Sequence, residues 1–139
     1  MKKTILILTV LMSSFILNSR GQCGGATTVS TKPTSLGIVI YSNDVETIWN
    51  ALRLANYSAG AGDTVRVFLL GKGVELETLA KTNDNISEQT NLFLKTGGTI
   101  LGCGTCLQSR NNLTPQFCKM SSMADLYDII RKSKILLSF

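Results

Sequence analysis

The most informative absence in this sequence of 139 residues is histidine, which does not occur. Serine–histidine triads, cysteine–histidine dyads and histidine-bearing zinc sites are therefore excluded within a single chain. Any chemistry must use cysteine, carboxylate, lysine, arginine or backbone groups. The sequence also shows no dense cluster of basic residues, so we expect no nucleic-acid partner, because such binding needs Lys and Arg gathered on one face.

The longest apolar run is short for a membrane span, and it lies at the N-terminus. Two lysines precede an apolar stretch over residues 4–17, which is followed by the small residues Ser19 and Gly21. This is the layout of a secretory signal peptide, whereas a spanning helix needs about 20 apolar residues. We expect a signal peptide over residues 1–21 and an exported protein, periplasmic or secreted, with no membrane attachment after cleavage. A retained anchor is the alternative.

Removal of the signal peptide leaves 118 of the 139 residues, enough for one domain with its own core. Three of the 14 basic residues leave with it, so 11 face 9 acidic residues and the net charge falls to about +2. Residues 22–34 are rich in Gly, Ser and Thr without periodicity, and they are predicted to be a flexible lead-in. The domain is expected over residues 35–139.

Apolar, β-branched runs predict strands in this domain, and residues at helical spacing predict helices between them. The predicted strands are residues 35–42, 63–70, 99–104 and 134–139, and the predicted helices are residues 43–59, 85–98 and 121–133, with a glycine turn and short helix over 71–81. The helix caps are expected at Asn43 or Asp44, at Asn85 or Ser87, and at Ser121 or Ser122. Because apolar strands alternate with helices, the predicted fold is α/β with a parallel sheet covered on both faces.

The chemistry-bearing stretch is LGCGTCLQSR, which carries two of the four cysteines. Cys103 closes the third predicted strand, and the following residues are predicted to form a helical turn. Ligands gather at the carboxyl ends of strands in open α/β sheets, and a thiol before a helix meets backbone N–H groups that favour the thiolate. Gly102 and Gly104 leave little bulk over the sulfur. Cys106 follows at the spacing of dithiol redox pairs, and Arg110 adds positive charge.

Other interpretations of the cysteines stay open. In an exported protein a CxxC pair can be a permanent disulfide, which would suit a non-catalytic binding or assembly module. A thiol–disulfide oxidoreductase of the thioredoxin type usually has an aromatic residue where this chain has Gly102. Cys118 can be a third thiol near Cys103, a buried residue, or a disulfide partner of Cys23. A metal site completed by Cys118 and Cys23 would lack a second CxxC, so we expect no metal and no cofactor.

The segment GKGVELE follows the second predicted strand. It lacks the full spacing of a phosphate-binding loop and predicts a strand-to-helix turn. Because it begins at the carboxyl end of a strand, Lys72 and Glu75 can border the thiol pocket.

The stretch GGTILGCGTCLQSRNNL, followed by MSSMADLYDIIRKSKILLSF, resembles the DsrE/DsrF-like (YchN-like) sulfur-relay proteins, and the similarity extends over residues 36–139. The resemblance is carried by a cysteine that closes a glycine-preceded strand, an arginine seven residues later, and the terminal helix and strand. It implies a three-layer α/β/α sandwich with a mainly parallel, five-stranded sheet. It also implies assembly into homo-oligomers, either trimers or hexamers.

In the sulfur-relay members, a cysteine at this strand tip accepts sulfur as a persulfide and passes it on. Cys103 matches that position, and Cys106 matches the second cysteine of members that carry CGTC. The resemblance therefore implies a sulfur carrier or sulfurtransferase-like protein whose partner is a sulfur donor or acceptor, a small molecule or a protein. The expected supporting residues are Gly102, Gly104, Thr105 and Arg110.

Two departures from the family pattern bear on this expectation. Family members usually have glycine after the arginine, whereas this chain has Asn111 and Asn112, which can reshape the loop over the thiol. Most relay members are also cytoplasmic, whereas this chain is expected to be exported. A relay partner from the cytoplasm therefore cannot be carried over.

Overall fold

The computed structural model describes residues 32–139, a range that includes the domain expected over residues 35–139. The predicted signal peptide, most of the predicted lead-in and Cys23 lie outside the described residues. Within the described range, no helix is both long enough and apolar enough to cross a membrane.

Five strands and five α-helices follow one another along the described residues. The strands are β1 (Ser35–Ile40), β2 (Thr64–Leu69), β3 (Thr99–Cys103), β4 (Lys119–Ser121) and β5 (Ile135–Ser138). The helices are α1 (Val45–Gly60), α2 (Leu76–Ala80), α3 (Asp84–Lys95), α4 (Gly104–Gln108) and α5 (Met123–Lys132), and a 3₁₀ helix, Gly71–Glu75, precedes α2.

The strands form one sheet in the order β4-β3-β2-β1-β5, and every pairing is parallel. The chain steps from β1 through β2 and β3 to β4, then returns across the sheet through α5 to place β5 beside β1. Right-handed crossovers put α1, α3 and α4 on one face and α5 on the other. The predicted α/β/α sandwich is confirmed, and its sheet is wholly rather than mainly parallel.

The face under α1 and α3 holds most of the apolar core. Side chains alternate between the two faces of a strand, and Leu36, Ile38 and Ile40 of β1 are all buried on this side. They belong to one cluster with Ile48 and Leu52 of α1. Burying a side chain of this size contributes roughly 1.5–3 kcal/mol, so this face is the main source of stability.

The opposite face is covered by α5, whose end packs against β1 at Gly37. A Cβ atom at Gly37 would lie 2.7 Å from the Ser133 Oγ and 2.8 Å from the Ile129 Cγ2. Only glycine therefore lets the helix come so near the strand. An ion pair of 2.9 Å between Arg66 Nη1 and Asp128 Oδ2 connects α5 to β2.

The outer surface of α5 and the edge strand β5 expose apolar side chains. On α5, Tyr127 is 63% exposed and Ile130 is 44% exposed. On β5, Ile135 and Leu136 are also exposed. An apolar surface next to a sheet edge is a common site of contact with another chain.

Side-chain caps set where the helices begin, and one of them differs from the expectation. The sequence pattern predicted Asn85 or Ser87 as the cap of the helix over residues 85–98, but this helix, α3, begins at Asp84. The reason is that Asn83 Oδ1 accepts a hydrogen bond of 3.1 Å from the Ile86 N–H. Expected caps are present on two helices, at Asp44 for α1 and Ser122 for α5.

The strand β4 is not evident from the residue pattern. It has only three residues, Lys119–Ser121, and none of them is buried, so no apolar alternation marks it. It joins the sheet as an edge strand beside β3, where the Ser121 Oγ donates a hydrogen bond of 3.1 Å to the Gly102 carbonyl oxygen. The residue pattern predicted four strands, and the fifth strand that the family resemblance implied is this one.

Candidate functional site

β3 brings Cys103 to the carboxyl end of the sheet, where ligands gather in open α/β folds. Cys103 is the last residue of β3 and the N-cap of α4. Its side chain is buried, with the residue only 4% exposed. The side chain makes no capping hydrogen bond to the first turn of α4, whose backbone amides were the expected donors to its thiolate.

Cys106 lies three residues further along α4, and residues at this spacing are neighbours on a helix surface. The Cys103 side chain lies close enough to the Cys106 thiol to act on its ionisation, and both cysteines are free rather than joined in a disulfide. Both line a cavity of about 740 Å³, whose walls also include Thr105, residues of β4 and the start of α5. The structure therefore places the predicted thiol pair in contact at a cavity.

The pKa of the Cys106 thiol is raised above its ordinary value. Burial of the thiol is the largest cause, and the neighbouring Cys103 side chain and its charge add to it. Two groups lower the pKa: the Gly71 N–H, which donates to the sulfur, and the positive charge of Arg110. Cys106 therefore holds its proton more firmly than a free cysteine, while one donor and one positive charge favour its thiolate.

The Gly71 amide is the functional group that the sequence pattern did not reveal. The 3₁₀ helix begins at Gly71 with φ of +54°, a left-handed conformation that glycine adopts readily. Gly73, in the same helix, lies directly against β1, because a Cβ atom there would overlap the Ile40 carbonyl group. The two glycines of GKG were the available signal, and they indicated a turn without showing which thiol the turn contacts.

Arg110 connects the end of α4 to the 3₁₀ helix. Its Nε donates a hydrogen bond of 2.8 Å to Glu75 Oε1, and its Nη1 donates one of 3.2 Å to the Cys106 carbonyl oxygen. The second Glu75 oxygen accepts a hydrogen bond of 2.8 Å from Asn43 Nδ2. The hydrogen bonds from Arg110 and Asn43, with a smaller effect of the Lys72 charge, hold the pKa of Glu75 below its usual range. Glu75 is therefore ionised at neutral pH.

Asn111 closes the turn that follows α4, at the position where the resembling family usually has glycine. Its φ of +55° is left-handed, a conformation that Asn tolerates better than most residues. The Asn112 N–H donates to the Leu107 carbonyl at 3.0 Å, and the Asn111 N–H donates to the Gln108 carbonyl at 2.9 Å. These are the two hydrogen bonds of a Schellman motif. Asn111 therefore closes the helix in the conformation for which glycine is favoured.

Cys118 lies on the opposite side of β3 from Cys103. Neighbouring residues of a strand point to opposite faces, and the Cys118 Sγ occupies the Gly102 side, 2.7 Å from the position of a Cβ atom on that glycine. Burial, followed by the charge of Glu77, raises the pKa of Cys118 to about 11. Cys118 lines a separate cavity of about 320 Å³. The structure brings Cys103 and Cys106 together and leaves Cys118 apart from them.

The remaining expected site residues shape the walls of the cavity. A Cβ atom on Gly104 would lie 3.3 Å from the Met120 Cγ, so the small residue lets β4 approach α4. Thr105 lies in the wall itself. Within residues 32–139, no three Cys, Asp or Glu side chains are grouped closely enough to hold a metal ion.

No family model and no curated protein sequence matches this chain. Solved structures of similar fold include the ychN protein from E. coli, with a TM-score of 0.67 and 17% identity over 78% of this chain and 100% of that chain. A conserved protein of unknown function, BT1422 from Bacteroides thetaiotaomicron, has a TM-score of 0.64 and 19% identity over 76% and 95% of the two chains. At these identities the similarity establishes a YchN-like fold, and the chemistry has to be inferred from the site.

Proposed function

We propose that this protein is an exported, sulfurtransferase-like sulfur carrier that binds sulfur as a persulfide on Cys103 and releases it through Cys106. The observation that carries the proposal is the contact between two free thiols at the carboxyl end of β3. The adjoining cavity is large enough to admit a small sulfur donor. The sequence resemblance to sulfur-relay proteins supports the same chemistry.

In the first step, the Cys103 thiolate attacks the terminal sulfur of a persulfide or polysulfide donor, because the thiolate is the nucleophilic form of cysteine. A bond forms between the Cys103 Sγ and that sulfur while the S–S bond of the donor breaks. The donor leaves as a thiolate, which keeps the electron pair of the broken bond. The product is a persulfide on Cys103.

In the second step, Cys106 loses its proton to water and attacks the Cys103 Sγ. A disulfide forms between the two cysteines, the bond to the outer sulfur breaks, and that sulfur leaves as hydrosulfide. A thiol reductant then returns both cysteines to the free form by disulfide exchange. The Gly71 N–H and the Arg110 charge favour this step because both lower the pKa of Cys106.

Intact mass spectrometry after exposure of the reduced protein to inorganic polysulfide tests this function. We expect the gain of one sulfur atom per chain, located by fragmentation on Cys103 and absent in Cys103→Ser. Cys118→Ser is the matched control, because it removes a thiol that lines a separate cavity and should load normally. Full loading of Cys103→Ser would contradict the assignment. A Cys103–Cys106 disulfide that resists mild reduction and takes up no sulfur would indicate the alternative of a binding or assembly module.

The contact between the thiols also favours a second candidate, a thiol–disulfide oxidoreductase. This activity would need the same pair but no sulfur donor. It predicts exchange with a protein disulfide and a moderately oxidising reduction potential. Measurement of both in redox buffers, beside the polysulfide experiment, separates the two activities.

Export and self-association complete the proposal. The N-terminal layout of two lysines, an apolar run and small residues supports export. The exposed apolar side chains of α5 and β5 support a homo-oligomer, and the sequence resemblance favours a trimer or a hexamer. N-terminal sequencing of the protein recovered from a bacterial periplasm tests the first part, and sedimentation equilibrium tests the second.

A further inference from the structure

Two glutamates of one short segment hold the loop that follows α4, but at different points. Glu75, at the end of the 3₁₀ helix, binds Arg110. Glu77, in α2, accepts hydrogen bonds from the Gln116 N–H at 2.9 Å and from the Asn112 side chain at 3.4 Å. Only the first of these contacts leads directly to the thiol pair.

Both oxygens of Glu75 are engaged, and they connect two distant parts of the chain. One oxygen binds Arg110 and the other binds Asn43, which lies between β1 and α1. The Arg110 and Glu75 side chains are 32% and 31% exposed, so the pair is partly shielded from solvent. Since Arg110 also donates to the Cys106 carbonyl oxygen, a continuous set of hydrogen bonds runs from the end of β1 to α4.

We propose that Glu75 is a positioning residue for the thiol pair: it holds the Arg110 guanidinium against α4, so that the Arg110 charge and the Gly71 amide act together on the Cys106 sulfur. Glu75 does not itself contact either sulfur in this arrangement. The inference rests on the proposed function, in which Cys106 must ionise before it attacks the persulfide. Glu75 acts by making it easier for Cys106 to lose its proton to water.

The charged and titratable groups around Cys106 agree with this role. Before α4 the neighbour is Cys103, at the end of β3, and after α4 it is Arg110; both act on the ionisation of Cys106. On the 3₁₀ helix, Glu75 interacts with both Lys72 and Arg110. Across the cavity, Asp125 at the start of α5 is engaged by the N–H and hydroxyl groups of Ser122. Arg110 is therefore the cation through which Glu75 can act.

The test measures the alkylation rate of Cys106 against pH by iodoacetamide and mass spectrometry, in the full chain with Cys103→Ser, so that Cys106 is the only thiol of the pair. We expect Glu75→Gln to shift the pH midpoint upward and to slow alkylation at neutral pH by about threefold, the size of effect typical of a partly exposed ion pair. A merely structural loosening would instead raise the rate at every pH without moving the midpoint.

Three further variants make the result specific. Arg110→Gln should slow the alkylation of Cys106 to the same extent as Glu75→Gln. The variant with both substitutions should be alkylated no more slowly than Arg110→Gln alone, because Glu75 acts through Arg110. Glu77→Gln is the matched control, since it alters the same loop without contacting Arg110, and it should leave the Cys106 profile unchanged.

The inference is overturned if Glu75→Gln leaves the midpoint unchanged or lowers it, or if the two substitutions are additive. Because alkylation needs no sulfur donor, this outcome is independent of the polysulfide experiment. Loading on Cys103 with an unchanged Glu75→Gln profile would leave the proposed function and remove the positioning role. A shifted Glu75→Gln profile without sulfur loading on Cys103 would leave the positioning role and remove the proposed function.

Discussion

Cys106 and Cys118 belong to the same stretch of chain, both are partly buried, and both have a raised pKa, yet their surroundings differ in kind. Cys106 receives a hydrogen bond from a backbone amide and lies near an arginine. Cys118 is packed against β3 and its neighbouring charge is the carboxylate of Glu77. One thiol has groups that favour its thiolate, and the other has burial and a negative charge that oppose it.

The comparison shows that burial alone does not decide how a thiol behaves. Desolvation is the largest cause of the raised pKa at both sites. The two sites differ in whether their other neighbours lower or raise the pKa, since donors and cations favour a thiolate whereas a carboxylate disfavours it. Cys106, which has a donor and a cation beside it, is the thiol that lies next to Cys103.

The largest expected effect comes from a substitution that displaces the amide at Cys106. In Gly73→Ala the new Cβ would overlap the Ile40 carbonyl, so the 3₁₀ helix must move and the Gly71 amide with it. We expect a loss of about 3 kcal/mol in the free energy of unfolding, at the upper end of overpacking costs, and slower alkylation of Cys106. Urea unfolding measures the first and mass spectrometry the second.

Gly60→Ala is the matched control for Gly73→Ala. Gly60 ends α1, and a Cβ atom there would meet nothing within 4 Å. We expect its stability to be unchanged or slightly raised, because alanine restricts the unfolded chain more than glycine does. Equal stability of the two variants would mean that the 3₁₀ helix is not held against β1.

The second effect concerns stability at alkaline pH. The pKa of Cys118 in the folded protein is about 11, above the ordinary thiol value of 9.0. The folded state therefore binds the proton more tightly than the unfolded state does. The resulting contribution to the free energy of unfolding is complete below about pH 9 and is lost as the pH rises toward 11. At 1.36 kcal/mol per pH unit, the loss is at most roughly 2–3 kcal/mol.

Urea unfolding of the native sequence and Cys118→Ala, each at about pH 8 and about pH 11, measures this loss. The comparison cancels the effects of all other titratable groups, which the two proteins share. We expect the native sequence to lose more stability than the variant. Equal losses would show that Cys118 is not protected from ionisation in the folded protein.

The third effect tests the packing of Cys118 on β3. A Cβ atom at Gly102 would lie 2.7 Å from the Cys118 Sγ and 2.9 Å from the Leu107 Cδ1. We expect Gly102→Ala to lower the free energy of unfolding by about 2 kcal/mol, a typical cost of overpacking. Adding Cys118→Ala should restore part of this loss, because the sulfur then no longer occupies the space. If the double variant is less stable than Gly102→Ala, the sulfur does not lie over the strand.

Much of the fold could be predicted because its signals are local. The strands β1 and β2 are mostly apolar runs, and α1 and α5 begin at side-chain caps that the sequence displays. β4 could not be predicted, since its three exposed residues carry no alternation and form a strand only because β3 offers an unpaired edge. The sheet order likewise depends on pairings between distant segments.

The site divides in the same way. Cys103 and Cys106 are found from their spacing and their place after a strand. The contacts that act on them join distant residues, such as the Gly71 amide with Cys106 and Glu75 with Arg110 across 35 positions. No local pattern reports such contacts, because they depend on how two loops meet at the end of the sheet. The sequence could only indicate that Glu75 and Lys72 can border the pocket.

The smallest expected effect comes from removing the negative charge beside Cys118. Glu77→Gln keeps an oxygen that can accept from the Gln116 N–H, but it removes the negative charge that raises the pKa of Cys118. We expect Cys118 to be alkylated about threefold faster at about pH 8, an effect of the size of one partly shielded charge. Mass spectrometry of separate peptides follows Cys118 and Cys106 in the same sample, with Glu75→Gln as the control that should leave Cys118 unchanged. If Glu77→Gln speeds both thiols together, the loop has opened and the difference between the two sites is one of access. If only Cys118 responds, the difference is set by the sign of the neighbouring charge.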